Sequence, residues 1–416
     1  MTLATAVGSW PQCRAGHRAS ETAGVAAAGS GGSVTVMAAP CRRTWHDAPP
    51  THRDRAEVAR PDGEPGIGPD RGDIVRLASG AGYWASGPPN NALEDLLEAE
   101  RLGYDSFWTA EAYGSDALTP LAWWGSRTER IKLGTSIIQL SARTPAATAM
   151  AAITLDHLSG GRFVLGLGVS GPQVVEGWYG QPYPRPLART REYIEIVRTI
   201  VARREPVEFH GEFYDLPFQG GAGLGKPLKS TVHPLRTDLP VYLAAEGPKN
   251  VALAAEVSDG WLPLFFSPRA AVNRFYADAL ADGFARRADG PPADFEVVCP
   301  VSVVVDADVD RAADRVRPML ALYIGGMGAR SANFHYETFV RMGFEEQCAR
   351  IQDLYLAGRK DEAAAAVTTE MVEAVALVGP ADKIRDDLAA WEDSVVTTLL
   401  VSGGPKVLRL MAELCL

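Results

Sequence analysis

The sequence lacks the features that mark membrane-spanning, disulfide-rich or zinc-binding proteins. No window of about 18 apolar residues occurs in its 416 residues, so no membrane-spanning helix is predicted. Its five cysteines, at positions 13, 41, 299, 348 and 415, form no CxxC pair. Neither a disulfide framework nor a metal site is therefore expected, and this cysteine usage is compatible with the reducing cytoplasm.

A block rich in lysine or arginine is also missing. Asp and Glu number 51 against 41 Lys and Arg, which gives a formal net charge of −10. Because nucleic acid is bound through clustered positive charge, this balance argues against non-specific nucleic-acid binding. It leaves open a local basic pocket for an anionic cofactor. We expect a small-molecule substrate as the partner, and a homodimer is compatible with these features.

Residues 1–72 lack the periodicity of helices or strands and are rich in Ala, Gly, Ser, Pro and Arg. Such a segment cannot bury enough apolar surface to offset the loss of chain entropy on folding. We therefore expect a disordered N-terminal extension over 1–72 and one folded domain over 73–416. The histidines of the extension, His17, His46 and His52, are excluded from catalysis on this ground.

The stretch from residue 131 to residue 171 predicts a strand, a helix and a second strand. Residues 131–140 form a β-branched, apolar run, and residues 162–168 form another. Between them, Pro145 is placed to begin a helix, and Gly160-Gly161 to end it. Strands that are apolar on both faces are typical of parallel sheets covered by helices. Ligands of such sheets bind at the carboxyl ends of the strands.

The same alternation predicts eight strand–helix units from residue 73 onward. The predicted strands are 74–79, 106–110, 131–140, 162–168, 241–245, 261–265, 295–305 and 395–401. A polar hairpin is expected at 207–214, a helix at 310–323 and a mostly helical insertion over 326–380. Eight units favour an α/β fold of the (β/α)8 TIM-barrel type with insertions over an open sheet.

Six segments carry a resemblance to a known family, and they occur in the same order over about 340 residues. They are 102–124, 134–171, 176–183, 225–236, 244–261 and 320–330. Residues 73–416 are similar to the luciferase-like (bacterial luciferase) family of flavin- and deazaflavin-dependent oxidoreductases. The resemblance is strongest to its actinobacterial branch that depends on coenzyme F420. It implies a (β/α)8 barrel with an insertion between barrel strands.

The resemblance implies an enzyme that transfers a hydride between the deazaflavin F420 and a small organic substrate. One alternative is a monooxygenase of the same family that uses reduced FMN and oxygen. Another is a barrel that binds a ligand without turnover. In sugar-phosphate dehydrogenases of the family an acid is followed by a histidine that acts as a base. Here Glu111 is followed by Ala112, which argues against sugar-phosphate oxidation.

Two glycine-containing turns are candidate anion sites. Residues 166–171 spell GxGxxG, but they follow the fourth predicted strand and meet Pro172, which argues against a dinucleotide-binding fold. A strand end that lets a ring or phosphate approach, or a simple turn, remains. In residues 246–250, the helix amides and Lys249 form an anion site. The resemblance places the cofactor phosphate near these two turns, whereas the general barrel rule favours residues 402–405.

Individual site residues are predicted partly from the resemblance and partly from their positions at strand ends and in loops. Ser136-Ile137 corresponds to the place where relatives carry a non-prolyl cis peptide bond behind the cofactor ring. Glu111 and His233 are the predicted catalytic residues, and His335 is a further loop histidine that could donate a proton. Tyr113, Trp178, Trp84 and Trp123 are candidate walls of an apolar pocket. The predicted cofactor-binding residues are Ser136, Ile137, Gly168, Val169, Ser170, Gly171, Ala245, Glu246, Gly247, Pro248 and Lys249.

The composition of the extension generates a prediction. Deletion of residues 1–70 is expected to leave the melting temperature and cofactor affinity nearly unchanged, because the segment has too little apolar surface to pack on the barrel. Differential scanning calorimetry and cofactor titration of the full and shortened chains measure both. A drop of several degrees in melting temperature would show that the extension packs on the folded domain.

Overall fold

A computed structural model describes residues 75–84, 86–328, 330 and 333–416. The predicted extension therefore lies outside the described residues. The strands are β1 (Arg76–Gly82), β2 (Ser106–Thr109), β3 (Lys132–Thr135), β4 (Ile138–Gln139), β5 (Phe163–Gly168), β6 (Phe209–His210), β7 (Asp215–Leu216), β8 (Val241–Ala244), β9 (Gly260–Leu262), β10 (Glu296–Val305), β11 (Ala376–Gly379) and β12 (Thr398–Ser402).

The helices alternate with these strands along the chain. They are α1 (Ala92–Leu102), α2 (Leu118–Gly125), α3 (Pro145–Ser159), α4 (Pro172–Gly177), α5 (Pro186–Ala202), α6 (Pro248–Val257), α7 (Ala270–Phe284), α8 (Val309–Ala313), α9 (Arg317–Gly326), α10 (Phe334–Arg341), α11 (Glu345–Leu356), α12 (Lys360–Ala365), α13 (Thr369–Glu373), α14 (Ala381–Glu392) and α15 (Pro405–Cys415). Within the described ranges, no helix is long and apolar enough to cross a membrane.

Eight parallel strands close into a barrel, which confirms the (β/α)8 prediction. Around the barrel they follow the order β1, β2, β3, β5, β8, β9, β10 and β12. Pairing of β12 with β1 and of β9 with β10 closes the ring. Since all eight strands run the same way, their carboxyl ends form one face, which we call the mouth of the barrel.

The interior of the barrel is filled by one cluster of buried side chains. Trp108 of β2 and Tyr242 of β8 stack with ring centroids 5.9 Å apart. Four smaller residues from other strands complete this buried cluster: Ala78, Val164, Leu262 and Val298. Nearer the mouth, the partly exposed Ile137, Ala244 and Leu400 pack on top of it. The barrel is therefore a packed core with an apolar floor at its mouth.

The outward faces of the same strands are equally apolar. Leu77, Phe107, Phe163 and Leu243 are fully buried beneath the surrounding helices. Helix α3 begins as the sequence predicts, because Thr144 accepts a hydrogen bond from the amide of Ala147 at 3.2 Å. Strands buried on both faces account for the continuous apolar runs in the sequence.

The structure corrects several predicted elements. The run predicted as one strand over 131–140 is broken into β3 and β4, and the helix predicted over 310–323 is broken into α8 and α9. The end of the segment predicted as a helical insertion forms β11, which pairs in parallel with β10. The hairpin expected over 207–214 pairs Phe209–His210 with Asp215–Leu216.

Candidate active site

A bulge between β3 and β4 shapes the floor of the mouth. The Ser136-Ile137 peptide bond is cis, as the family resemblance implies. The amide of Ser136 donates to the carbonyl of Thr109 at 2.7 Å, so the bulge stays attached to the end of β2. A Cβ atom added to Gly168 would lie 2.8 Å from the Ile137 side chain and 3.4 Å from the Ala244 Cβ. Three neighbouring strand ends therefore meet in a floor of small and aliphatic groups.

Gly166 allows β3 and β5 to approach closely beneath this floor. A Cβ at this position would lie only 1.7 Å from the Thr135 carbonyl oxygen. The Thr135 hydroxyl donates to the Gly166 carbonyl and accepts from the Gly166 amide, both at 2.9 Å. The first glycine of the GxGxxG sequence is thus required by strand packing, which a dinucleotide fingerprint does not explain.

The two predicted anion-binding turns lie side by side. Residues 168–171 follow β5 and residues 245–249 follow β8, and these strands are paired in the barrel. Gly171 caps α4 and Gly247 caps α6. Lys249, in the first turn of α6, is exposed, and its side chain makes no ion pair or hydrogen bond with any described residue. Residues 402–405, the alternative anion site, lie at the same face after β12.

Glu111 lies at the end of β2, and both of its carboxylate oxygens already accept hydrogen bonds. It accepts hydrogen bonds from the amides of Gln139 at 2.8 Å and Ala117 at 3.2 Å. Arg143 donates to both carboxylate oxygens, at 2.8 and 3.0 Å. Only 2% of the Glu111 side chain is exposed. The arrangement holds two loops together at the rim of the mouth.

His233 lies at the opposite end of the barrel. Its carbonyl oxygen is 2.7 Å from Nε2 of His157, in the last turn of α3. Helix α3 runs back from the mouth, so its last turn lies beside the amino ends of the strands. Nearby, Arg236 contacts Asp156 and the carbonyl of Phe163, the first residue of β5. The structure therefore does not bring His233 to the other predicted site residues.

A histidine from the helical insertion lies at the mouth instead. Nδ1 of His335 is 2.8 Å from Oε1 and 3.0 Å from Oε2 of Glu246. The Thr338 hydroxyl is also 3.3 Å from the Glu246 carboxylate. The Glu246 carbonyl accepts from Arg341 at 3.1 Å and from Tyr276 at 3.2 Å. Glu246 thus attaches α10 to the end of β8.

Aromatic rings surround this histidine. The Tyr323 and Phe265 rings pack edge-on against the His335 imidazole, with centroids 4.9 and 5.9 Å away. The Tyr323 hydroxyl is 3.1 Å from that of Tyr83, which follows β1. Burial raises the pKa of the Tyr323 phenol well above its usual value, and the neighbouring Tyr83 and Glu246 raise it further. Tyr323 is therefore a neutral hydrogen-bonding group at physiological pH.

The sequence indicates His335 only as one loop histidine among several, whereas the structure places it in the first turn of α10. It is separated from Glu246 by 89 positions, and no spacing rule connects them. Of the predicted aromatic walls, Tyr113 and Trp178 face each other with centroids 6.5 Å apart. Trp84 instead stacks on Trp124. Among the described residues, no group of three or more His, Cys, Asp or Glu side chains is placed to hold a metal ion.

The comparison with known protein families agrees with this architecture. The family model for luciferase-like monooxygenases matches residues 74–398. The chain belongs to this family. Membership in the luciferase-like family agrees with the parallel barrel.

Two relatives and one solved structure illustrate the range of similarity. A Mycobacterium tuberculosis protein assigned to the coenzyme F420-dependent oxidoreductases is 54% identical over 333 residues, covering 79% of this chain and 95% of the relative. The 5,10-methylenetetrahydromethanopterin reductase of Archaeoglobus fulgidus is 30% identical over 320 residues, covering 74% and 87%. The coenzyme F420-dependent tetrahydromethanopterin reductase of Methanopyrus kandleri has the same fold, with a TM-score of 0.68, 22% identity, and coverage of 82% and 98%.

The buried Glu111–Arg143 pair generates a stability prediction. Glu111→Ala leaves the Arg143 guanidinium and two backbone amides without their acceptor, and we expect the unfolding free energy to fall by about 3 kcal/mol. Denaturant titration followed by circular dichroism measures this change. Glu176→Ala, which removes an exposed carboxylate from α4, serves as the control and should change stability by less than about 0.5 kcal/mol. A loss below about 1 kcal/mol for Glu111→Ala would contradict the structural importance of this pair.

Proposed function

We propose that this chain is a coenzyme F420-dependent oxidoreductase that transfers a hydride between the deazaflavin and a small organic substrate. The observation that carries the proposal is the floor of Ile137, Gly168 and Ala244, which offers an apolar surface for a flat ring beside two helix amino termini. The 54% identical relative, assigned to the F420-dependent oxidoreductases, supports F420 as the cofactor.

The residues of the mouth fit the parts of this cofactor. We assign the flat ring system to the floor, where Gly168 and Ala244 carry little or no side chain above the Trp108–Tyr242 pair. We assign the turns at 168–171 and 245–249 to the anionic phosphodiester of the cofactor. The amides of a helix amino terminus and the positive charge of Lys249 both attract negative charge. Ser136 and Val169 flank the floor within the same two loops.

Coenzyme F420, when bound, supplies two-electron hydride chemistry, because the deazaflavin ring has carbon in place of the reactive flavin nitrogen. The residues of this chain bind and orient the reactants and provide the proton. The Glu111 carboxylate already accepts hydrogen bonds from the neighbouring loops, so we assign it a positioning role. His233 lies at the far end of the barrel and has no role in the proposed site.

Cofactor titration tests the proposal directly. The purified chain is expected to bind F420 at least about tenfold more tightly than FMN, measured by fluorescence of each cofactor. The second candidate, an FMN-dependent monooxygenase, requires the reverse order together with oxygen consumption when reduced FMN is supplied. Equal or reversed affinities would refute the deazaflavin assignment.

Lys249 provides a sharper test of the anion site. A charge-assisted hydrogen bond contributes about 1.5–3 kcal/mol, and the exposure of Lys249 reduces this. We therefore expect Lys249→Ala to weaken F420 binding by about tenfold, taking about 1.4 kcal/mol per decade. Titrations at increasing salt should narrow the difference, since screening weakens the lysine contribution in the wild type.

The chain contains a matched control for this experiment. Residues 404–406 repeat the Gly-Pro-Lys sequence of residues 247–249, and Lys406 occupies the corresponding place in α15 after β12. Lys406→Ala removes the same charge from the same kind of turn and should leave F420 affinity unchanged within about twofold. If Lys406→Ala weakens binding and Lys249→Ala does not, the phosphodiester lies at β12.

A further inference from the structure

A surface segment between β7 and β8 exposes many large apolar side chains. It comprises residues 217–236, and we call it the apolar segment. Phe218 and Leu224 are 74% and 87% exposed, and Leu228, Val232 and Leu235 are exposed as well. Elsewhere in the described part of the chain, exposed apolar side chains of this size occur singly or in pairs. Such a concentration of exposed apolar surface indicates an interaction site.

The first half of the apolar segment is a glycine-rich loop. Residues 217–227 leave the β6–β7 hairpin after its second strand and rejoin it at Leu228, which pairs with Val207. The φ angle is +83° at Gly220 and +69° at Gly223, in the left-handed region that favours glycine. A Cβ atom added at either glycine would meet no atom within 4 Å. At these positions the loop is therefore not packed on the barrel.

The second half of the apolar segment lies at the end of the barrel opposite the mouth. The Ser230 carbonyl accepts from Nε of Arg203 at 2.7 Å, directly after the end of α5. The His233 carbonyl is 2.7 Å from the ring of His157, in the last turn of α3, and the neighbouring Leu158 is also exposed. Because α3 and α5 run from the mouth toward the amino ends of the strands, this part of the segment is distant from the floor of the mouth.

The apolar segment carries only positive charge, although the whole chain has a net charge of −10. The Lys226 side chain is exposed and makes no ion pair or hydrogen bond with any described residue. Lys229 is exposed and donates to a backbone carbonyl at 2.6 Å. Arg236 pairs with the buried Asp156. The adjoining residues 203–208 contain two arginines and two glutamates, so they add no net charge.

We propose that the apolar segment is a peripheral contact with a lipid bilayer that carries anionic headgroups. Phe218 and Leu224 insert at the boundary between headgroups and acyl chains, and Lys226 and Lys229 attract the anionic headgroups. A two-fold contact with a second copy would instead bring the lysines of both copies together. An anionic bilayer therefore fits both the apolar side chains and the charge of the segment.

This contact is independent of the proposed F420-dependent function and goes beyond it. A peripheral contact requires no membrane-spanning helix, because only side chains enter the lipid. It brings the amino ends of the barrel strands toward the bilayer. The mouth lies at the other end of the barrel and stays accessible to cofactor and substrate.

Vesicle sedimentation tests the proposal with the full chain. One set of vesicles is phosphatidylcholine alone, and the other is phosphatidylcholine and phosphatidylglycerol in equal parts. The chain is expected to bind the mixed vesicles at least about tenfold more tightly, because each lysine near an anionic surface strengthens binding. Rising salt should reduce this difference, since screening weakens the attraction. If the chain does not bind the mixed vesicles, the proposal is wrong.

Variants test the two chemical parts of the segment separately. Leu224→Ser is expected to weaken binding to mixed vesicles about tenfold, because it removes a side chain that is buried in the lipid. Lys226→Gln should weaken binding to mixed vesicles about fivefold and leave binding to phosphatidylcholine unchanged. Wild-type vesicle binding in Leu224→Ser would overturn the assignment of this segment.

Matched controls remove the same kinds of side chain from other surfaces. Met150→Ser changes an exposed apolar residue of α3, and Lys360→Gln changes an exposed lysine of α12. Both should bind vesicles as the wild type does. Melting followed by circular dichroism should be unchanged in all four variants, because each altered side chain is exposed.

Two further measurements separate this proposal from its competitors. Light scattering without vesicles gives the molar mass, and a dimer that Leu224→Ser converts to a monomer would assign the segment to a contact between copies and overturn the membrane proposal. F420 affinity, measured by fluorescence, should stay within about threefold in Leu224→Ser, because the segment lies away from the mouth. A large loss of F420 affinity in this variant would contradict that separation.

Discussion

The close approach of β3 and β5 is the constraint on which the mouth of the barrel depends. Gly166 allows the two backbones to approach closely. The Thr135 hydroxyl then forms hydrogen bonds with both the carbonyl and the amide of Gly166. Directly above this contact, the chain leaves the regular strand at Ser136-Ile137 and places the Ile137 side chain over Gly168. A larger residue at either glycine would push the strands apart and raise the floor. The shape of the floor therefore comes from the strand packing beneath it.

Glu246 connects the barrel to the helical insertion. Its carboxylate contacts His335 and Thr338, while its carbonyl accepts from Arg341 and Tyr276. The charge of Glu246 is therefore directed toward α10, away from the lysine that follows it in α6. Lys249 therefore remains an exposed positive charge in an acidic protein, three residues after a carboxylate that contacts the insertion.

The fold is shared by enzymes with different cofactors, so the barrel by itself does not determine the reaction. The solved structure of the Methanopyrus kandleri reductase is only 22% identical and shows the architecture alone. What distinguishes one member from another lies in the loops at the strand ends and in the insertion. In this chain the insertion contributes His335, which contacts Glu246 just after β8.

The sequence by itself determined the barrel and the location of its turns. Apolar runs, glycines that end helices and prolines that begin them, such as Pro145 and Pro248, act over a few residues. Their effect can therefore be predicted from the sequence. The tertiary structure alone decided which side chains meet at the mouth. His335 reaches Glu246 across 89 positions, Glu111 is occupied by Arg143, and His233 lies at the other end of the barrel. These outcomes depend on how the insertion and the long loops pack on the barrel, and packing between distant segments leaves no periodic signal in a single sequence.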